Sequence, residues 1–348
     1  MSKKVYVGMS GGVDSSVTAA LLKAQGCDVT GVYMKNWSQD LPGLACPWRQ
    51  DYQDAKRVAV QLGIPFKLYD FETEYRQRVV DDMIAEYQAG RTPNPDVMCN
   101  QEVKFKLFLQ MALDDGADAI ATGHYARIKN GRLFAGIDQN KDQSYFLHRV
   151  TEDALQHSLM PIGDYEKPQV RKLARKLGLA TADKKDSQGI CFVGKVGIKD
   201  FLLHELGPQA SGAIVDQHGR TIGEHDGALF YTIGQRHGLH VGGGWPYYVT
   251  GKDMAANEVH VTTDVQDSNL WSDELRLTDM HWINGRPGET RSLGLRPRYR
   301  AALVPITNIT REVNIWHIEL GEDVRAVTPG QSAVIYDGDQ VLGGGIVV

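Results

Sequence analysis

Short apolar runs alternate with amphipathic stretches through the first part of the chain. Residues 4–9 form an apolar run, and residues 13–25 have helical spacing that ends at Gly26. The same alternation predicts further strands at 29–34, 65–70 and 117–122, and further helices at 53–62, 72–89 and 99–115. A strand–helix rhythm of this kind predicts a doubly wound parallel sheet with helices on both faces.

The pattern changes after about residue 125. Two strand-like runs at 125–129 and 132–137 flank Asn130-Gly131, which predicts a β-hairpin. A basic helix is expected at 167–177, and from about residue 212 strand-length runs alternate with glycine-rich turns. We therefore predict an α/β domain at 1–199, a small β-rich middle domain at 200–265 and a C-terminal β-barrel domain at 266–348.

Composition restricts the class of protein. The 348 residues include 38 basic and 43 acidic side chains, a net charge of −5, and 42% are hydrophobic. These values are typical of a globular protein and exclude a disordered chain or a disulfide-stapled mini-protein. No apolar run approaches the ~20 residues of a membrane span, and the N-terminal apolar stretch is too short for a signal peptide. We expect a cytoplasmic monomer without membrane contact.

The strongest chemical motif is Ser-Gly-Gly-Val-Asp-Ser at 10–15, between the first predicted strand and helix. Glycines let the backbone approach a ligand closely, and the amides at a helix start hold an anion. The motif lacks the Walker lysine and the Rossmann glycine spacing. A phosphate-binding loop is therefore predicted, with a plain turn capped by Asp14 or Ser15 as the alternative.

Two of the four cysteines lie in chemically distinctive surroundings. Cys99 follows a stiff segment with two prolines, and a helix start at or just before it would favour the thiolate. Asp96 could cap that helix or manage protons for a substrate. Cys191 lies near Lys184 and Lys185, which would also favour a thiolate, although a buried thiol is the alternative.

The other two cysteines, Cys27 and Cys46, are interpreted as incidental thiols. Because the sequence contains no Cys-x-x-Cys, a zinc ribbon or iron–sulfur cluster is not supported, and we expect no structural metal.

Motifs that run in order through nearly the whole chain resemble those of the tRNA-specific 2-thiouridylases, within the PP-loop superfamily of ATP pyrophosphatases. They are GMSGGVDSSV, GRTPNPDVMCN, KFKLFL, ATGHYARI, NKDQSYFL, EKPQVRKLA, KKDSQGICF, TIGQRHGL and TPGQSAVIYDGDQVLGGGIV. Two small departures are Gln188, where the family often has Thr, and a short segment at 242–245.

The resemblance implies a sulfurtransferase reaction. ATP adenylates the C2 oxygen of the wobble uridine with release of pyrophosphate, and persulfide sulfur then replaces that oxygen with release of AMP. The implied partners are ATP, Mg²⁺, tRNAs for Lys, Glu and Gln, and a protein that donates persulfide sulfur.

The resemblance also implies roles for individual residues. Cys191 would carry the persulfide, Cys99 would attack it and form a transient disulfide, and Asp96 would act as acid or base. Nucleotide contacts are expected from Gly8, Met9, Ser10, Gly11, Gly12, Val13, Asp14, Ser15, Met34 and Gly123. Target-base and tRNA contacts are expected from Asn94, Pro95, Asp96, His124, Lys141, Asp142, Gln143, Arg298, Tyr299 and Gln331.

Two basic regions are candidates for tRNA binding. Residues 286–300 contain five arginines and Tyr299, which suit phosphates and a stacked base, although an exposed edge strand kept soluble by charge is the alternative. Residues 167–176 form the second region, with a solvated helix face as the alternative.

Two rival functions remain for this sequence. Another PP-loop ligase would need no cysteine pair, and a non-catalytic tRNA-binding protein would not turn over ATP. Pyrophosphate release with tRNA, and the requirement for Cys99 and Cys191, separate the three.

Overall fold

The computed structural model describes residues 2–40, 46–186, 197–242, 244–288 and 292–348. Their strands form a five-stranded sheet, a four-stranded sheet and an eight-stranded sheet that contains a closed barrel. The predicted fold class is therefore confirmed. Within these ranges, no helix has both the length and the apolar character that a bilayer span requires.

The first sheet is entirely parallel and has the strand order β3-β2-β1-β4-β7. Strands are numbered in chain order: β1 Lys4–Gly8, β2 Asp28–Lys35, β3 Phe66–Asp70, β4 Ala119–Ala121, β5 Ala126–Lys129, β6 Arg132–Ala135 and β7 Ser158–Leu159. The strand order reverses between β1 and β4. In open α/β sheets, ligands bind at the carboxyl ends of the strands beside such a reversal.

Helices cover both faces of this sheet. They are α1 Val13–Ala24, α2 Trp48–Leu62, α3 (Glu72–Tyr75, Arg76–Val80 and Asp81–Gln88), α4 (Pro95–Met98, Cys99–Leu107 and Phe108–Asp114), α5 Glu152–Gln156, α6 Lys167–Lys176 and α7 Ile198–Leu206. The middle segments of α3 and α4 are π-helical. Alternate residues of β1 lie in different cores, Val5 and Val7 with α1, α2 and α6, and Tyr6 with α3 and α4.

The middle region is a small mixed sheet. Its strands are β8 Gly212–Val215, β9 Thr221–His225, β10 Tyr248–Asp253 and β11 Glu258–Thr262, in the order β10-β11-β8-β9. The sequence analysis did not predict α7, and the expected domain boundary at 199/200 falls inside it. Both domain boundaries stay predictions.

The C-terminal barrel closes through pairing of its first and last strands, β12 and β17. Its strands are β12 Trp271–Trp282, β13 Gly294–Arg296, β14 Val304–Glu312, β15 Ile315–Arg325, β16 Ser332–Asp337 and β17 Gln340–Val347. The predicted hairpin β5–β6 is confirmed, but β6 also pairs with β17, so the first domain contributes two strands to the barrel's sheet. One hydrophobic core runs from α3 and α4 to Val334, Tyr336 and Val341 of the barrel.

Candidate active site

The predicted phosphate loop lies between β1 and α1, at the strand-order reversal. The N-cap of α1 is Gly12, so Asp14 and Ser15 are already inside the helix and neither caps it. The capping role that the alternative gave to one of them is therefore wrong, and phosphate binding by the loop stays a prediction. Ser10 N donates to Ser15 Oγ at 3.2 Å, which closes the loop onto the first helical turn. Gly11 has φ +75°, and a Cβ there would lie 2.3 Å from the carbonyl oxygen of Asp51.

The structure brings the remaining predicted nucleotide residues to this loop. A Cβ on Gly123 would lie 2.7 Å from the backbone nitrogen of Ser15, so the chain after β4 packs directly on the start of α1. A Cβ on Gly8 would lie 2.9 Å from the Met34 methyl group. Met9 is buried beneath the loop. These glycines let the ends of β1 and β4 pack closely against their neighbours beside the loop.

Asp14 is held by a buried lysine that the sequence analysis did not assign to the site. Lys167 Nζ donates to both carboxylate oxygens of Asp14 at 2.8 and 2.7 Å, and Tyr125 Oη donates to one of them at 2.8 Å. Lys167 is 7% exposed. The alternative of a solvated basic helix is therefore wrong for the first residue of α6, whose side chain points into the protein.

The same lysine connects the phosphate loop with Asp186. Asp186 pairs with Lys167 at 2.9 Å, with Lys141 at 2.7 Å and with Arg171 at 2.7 Å. Partial burial alone would raise the pKa of Asp186, but hydrogen bonds from Lys141 and Lys167 outweigh it and lower the pKa to about 2. We name Asp14, Lys167, Asp186, Lys141 and Arg171 the phosphate-side ion network.

The Asn94–Asp96 loop leads into α4 earlier than the sequence analysis predicted. Asn94 is the N-cap and Pro95 the first helical residue, a position that suits proline because its missing N–H would have no helical partner. Asp96 therefore does not cap the helix. Cys99 is buried one turn inside α4 rather than at its start. At that depth the effect of the helix dipole has largely decayed. Cys99 is therefore not at the start of the helix.

Lys104 interacts with two predicted site residues. Its ammonium faces His124 Nε2 at 3.5 Å, and His124 Nδ1 lies 2.8 Å from Thr122 Oγ1. An ammonium can only donate, so Nε2 accepts and Nδ1 carries the proton. Burial, reinforced by the charge of Lys104, lowers the pKa of His124 well below its usual value, so the ring is neutral.

Asp96 also interacts with Lys104, through its charge. Burial raises the pKa of the Asp96 carboxyl, and the charge of Lys104 opposes that rise. Lys104 belongs to the KFKLFL motif, but its interactions with His124 and Asp96 could be recognised only from the fold. Contacts and charge thus connect the phosphate loop to the acid in the order Ser15, Gly123, His124, Lys104, Asp96.

Two of the three residues at 141–143 use their side chains in hydrogen bonds within the protein. Asp142 is 5% exposed, and its carboxylate accepts from Gly136 N, from Ser144 and from Arg296 Nη1. Gln143 Oε1 accepts from the Tyr125 amide at 3.0 Å. Only Lys141 of these three presents a partly exposed charge, and it lies in the phosphate-side ion network.

The described part of the arginine-rich segment, which excludes residues 289–291, contains no exposed edge strand, so that alternative is wrong there. Strand β13 pairs with β14 on one side and β16 on the other, and Leu295 is fully buried. Tyr299 packs on Phe146 with ring centroids 4.4 Å apart, and the Arg300 guanidinium lies 5.1 Å from its ring. Arg298 is exposed.

Of the last two predicted residues, the structure describes Gln331 but not Cys191. Gln331 lies at the barrel end that meets the Asn94–Asp96 loop, where its Nε2 donates to the carbonyl oxygen of Thr92 at 2.7 Å. Cys191, together with the Gln188 departure, lies outside the described residues.

The expected Mg²⁺ finds no preformed ligand cluster in the described ranges, where no three His, Cys, Asp or Glu side chains are grouped to hold a metal. The carboxylate at the phosphate loop, Asp14, is already bonded to Lys167 and Tyr125. The described residues thus offer Mg²⁺ no cluster of protein ligands.

Comparison with known proteins agrees with this architecture. Three family models match in succession: the tRNA methyl transferase HUP domain over residues 3–195, the tRNA methyl transferase PRC-barrel domain over 199–263 and the aminomethyltransferase beta-barrel domain over 272–347. The tRNA-specific 2-thiouridylase MnmA of Listeria monocytogenes serovar 1/2a is 47% identical over 99% of this chain and 94% of the relative. The chain belongs to the tRNA-specific 2-thiouridylase family.

Other MnmA relatives match equally fully. The protein of Bacillus subtilis is 46% identical, covering 99% of this chain and 94% of the relative, and that of Polynucleobacter asymbioticus is 47% identical, covering 99% and 96%. Among solved structures, a 4-thiouridine synthetase–RNA complex with bound ATP is similar at a TM-score of 0.36 and 16% identity, covering 57% of this chain and 49% of that one. That likeness is weak beside the MnmA matches.

Proposed function

We propose that this chain converts the wobble uridine of tRNA to 2-thiouridine with ATP and persulfide sulfur. The observation that carries the proposal is the connected path from Ser15 at the phosphate loop through Gly123, His124 and Lys104 to Asp96. A nucleotide phosphate at one end and a proton-accepting carboxylate at the other are what activation of a base oxygen requires. Support also comes from the end-to-end match with MnmA relatives.

In the first step, the uridine O2 attacks the α-phosphorus of ATP and pyrophosphate leaves. Asp96 accepts the N3 proton of the base, and its raised pKa brings it closer to the pH at which it must work. The helix-start amides of 12–15 hold the phosphates, while Asn94 and Pro95 shape the pocket for the base. Since the target base must leave the anticodon-loop stack, the pocket suits a splayed-out nucleotide.

In the second step, sulfur replaces the activated oxygen. Cys191 carries the outer sulfur, delivered by a persulfide-donating protein, and the Cys99 thiolate attacks the inner sulfur. A Cys99–Cys191 disulfide forms as hydrosulfide leaves, and the hydrosulfide displaces AMP from C2. A thiol reductant then reopens the disulfide.

Contacts with tRNA are proposed on both sides of this pocket. His124 and Lys141 adjoin the phosphate loop, with Lys141 acting for the 141–143 segment because Asp142 is held internally. Arg298 is exposed and suits a backbone phosphate. The Tyr299 ring suits stacking with a base once the Arg300 guanidinium moves away from it. Gln331 contributes from the barrel. tRNAs for Lys, Glu and Gln are the proposed substrates.

The cysteine pair provides the test that separates this function from its rivals. We expect Cys99→Ser and Cys191→Ser each to abolish 2-thiouridine formation, measured by mass spectrometry of digested tRNA, because each removes one sulfur of the exchange. Pyrophosphate release with tRNA should survive, and Cys27→Ser is the matched control with normal thiolation. Sulfur transfer in both single variants would reject the assignment, and a wild-type protein that binds tRNA without releasing pyrophosphate would be a binding protein only.

A further inference from the structure

Thr92, four residues before the proposed proton acceptor, is the point at which all three domains meet. Its backbone N–H donates to Pro329 O at 2.8 Å, and its carbonyl oxygen accepts from Gln331 Nε2 at 2.7 Å. Its Oγ1 lies 3.2 Å from Thr232 Oγ1 of the middle region. Both backbone groups and the side chain of this buried residue are therefore bonded to parts of the chain at least 140 positions away.

Gly330 lets the barrel approach this closely. It has φ +90°, and a Cβ there would lie 2.8 Å from Thr92 N and 3.0 Å from Arg91 Cβ. Both contacts are with parts of the loop that cannot rotate away as a long side chain could. The turn that contains Gly330 is itself anchored in the barrel, since Gly330 N donates to Val347 O and Val347 N donates to Gln331 O, each at 2.9 Å.

The middle region supports the same segment from another direction. A Cβ on Gly90 would lie 2.6 Å from Met254 Cγ, so the chain just before Thr92 packs on the β10–β11 turn. A Cβ on Gly234 would lie 2.6 Å from Ala326 Cβ, so the middle region also packs on the barrel beside the turn. Three separate close approaches thus surround the loop's entry.

Two prolines transmit the position of Thr92 to the reactive segment. Pro93 and Pro95 flank Asn94 and fix two backbone angles, and Pro95 starts α4. The prolines reduce the ways in which the chain between Thr92 and Asp96 can adjust, so a shift of Thr92 is passed on to the start of α4.

We propose that the barrel turn Thr328–Gln331 and Thr232 of the middle region position the Asn94–Asp96 loop for the adenylation step. Gly330, Gln331 and Thr232 act as positioning residues, and the barrel completes the catalytic pocket besides binding tRNA. The inference rests on the proposed function, since it assigns these residues to the pocket in which the uridine reacts.

The test compares Gly330→Ala with Gly285→Ala in the full chain. Both glycines are in the C-terminal domain and have positive φ, +90° and +84°, but a Cβ on Gly285 meets nothing within 4 Å. The two variants therefore carry similar backbone strain, and only one pushes on the loop. Three measurements are made: steady-state kinetics of pyrophosphate release, which give kcat and KM for tRNA, the Kd for tRNA, and hydrogen exchange of the Thr92 amide.

In Gly330→Ala, we expect kcat to fall about 100-fold, because a displacement of about 1 Å at a reacting group has that effect. The Kd for tRNA should stay within about twofold of wild type, and the Thr92 amide, released from Pro329, should exchange about tenfold faster. Gly285→Ala should match wild type in all three. Thr232→Val should lower kcat about threefold to tenfold, and Thr232→Ser, which keeps the hydroxyl, should restore it.

Each other result overturns the inference. Faster Thr92 exchange with unchanged kcat would show that the barrel holds the loop without serving the reaction, and unchanged exchange would show that the turn does not hold it. A raised KM and Kd with normal kcat would make the turn a tRNA contact only. Failure of the proposed function is seen separately, as a wild-type protein that releases no pyrophosphate with tRNA while Thr92 exchange still responds to Gly330→Ala.

Discussion

The two loops of the candidate active site are held in different ways. The phosphate loop is supported by elements of its own domain, with ionic partners such as Lys167 and a close approach of Gly11 to α2. The Asn94–Asp96 loop is held at Thr92, whose N–H donates to Pro329 O, whose carbonyl oxygen accepts from Gln331, and whose hydroxyl bonds with that of Thr232. The candidate nucleotide loop is thus supported within the first predicted domain, whereas the loop of the proposed base pocket also bonds with the two later ones.

The largest expected effect comes from Gly11→Ala. A Cβ at this position would lie 2.3 Å from Asp51 O, so the phosphate loop must move away from α2. Its backbone amides would then no longer point at the phosphates. We expect pyrophosphate release to fall at least about 1,000-fold, because several preorganised donors are displaced together. Gly26→Ala is the control, with φ +82° and open space around its Cβ. Release within tenfold of that control would show that the loop's shape does not bind the nucleotide.

A smaller loss is expected at the other loop from Asp96→Asn. Removing a proton acceptor should slow pyrophosphate release on the order of 100- to 10,000-fold. Burial raises the pKa of Asp96, so the wild-type rate should fall, as pH decreases, at a higher pH than an ordinary aspartate would give, and this limb should be missing from the variant. Asp82→Asn removes another carboxyl whose burial raises its pKa, and it should leave the profile unchanged. A pH profile of Asp96→Asn identical to that of wild type would show that the Asp96 carboxyl takes no part in the reaction.

The smallest effect concerns the ionic support of the phosphate loop. Asp186 has a pKa of about 2 against an ordinary 3.8, so its ionised form stabilises the fold fully above pH 4 and loses this contribution as pH falls towards 2. Asp186→Asn should lower the free energy of unfolding by about 1–2 kcal/mol at pH 7, with the difference from wild type shrinking below pH 4. Urea unfolding at pH 7 and pH 3 measures this.

The matched control for that change is Asp183→Asn. Asp183 pairs with Arg175 of α6, the helix that also contains Lys167, but the side chains of Asp183 and Arg175 are 81% and 62% exposed. Such a surface pair should change the stability by less than about 0.5 kcal/mol. Equal losses in the two variants would mean that the phosphate-side ion network contributes no more than a surface salt bridge.

Sequence reasoning succeeded where a feature depends on neighbouring residues. The helix predicted at 13–25 is found as Val13–Ala24, and the phosphate loop lies between the predicted strand and helix. Periodicity, glycine helix ends and a contiguous motif are all local signals, so they can be recognised without the fold.

It failed where a feature depends on distant partners. Lys167 belongs to a helix with several other basic residues, and only the fold shows that its side chain is buried against Asp14 and Asp186. The arginines near 296 were compatible with an edge strand because strand order cannot be derived from composition. The support of Thr92 by Gln331 joins residues 239 positions apart, beyond any pattern a local window contains.

The addition of the β5–β6 hairpin to the barrel has a consequence for synthesis of the protein. Strand β6 pairs through Phe134 and Leu133 with Gln340 and Val341, which emerge from the ribosome about 200 residues later. At translation rates of about 5–20 residues per second, β6 keeps an unmatched backbone edge for roughly 10–40 s. Nascent chains therefore pass through a period in which that strand could pair with the wrong neighbour, and a chaperone that covers it would protect the growing enzyme.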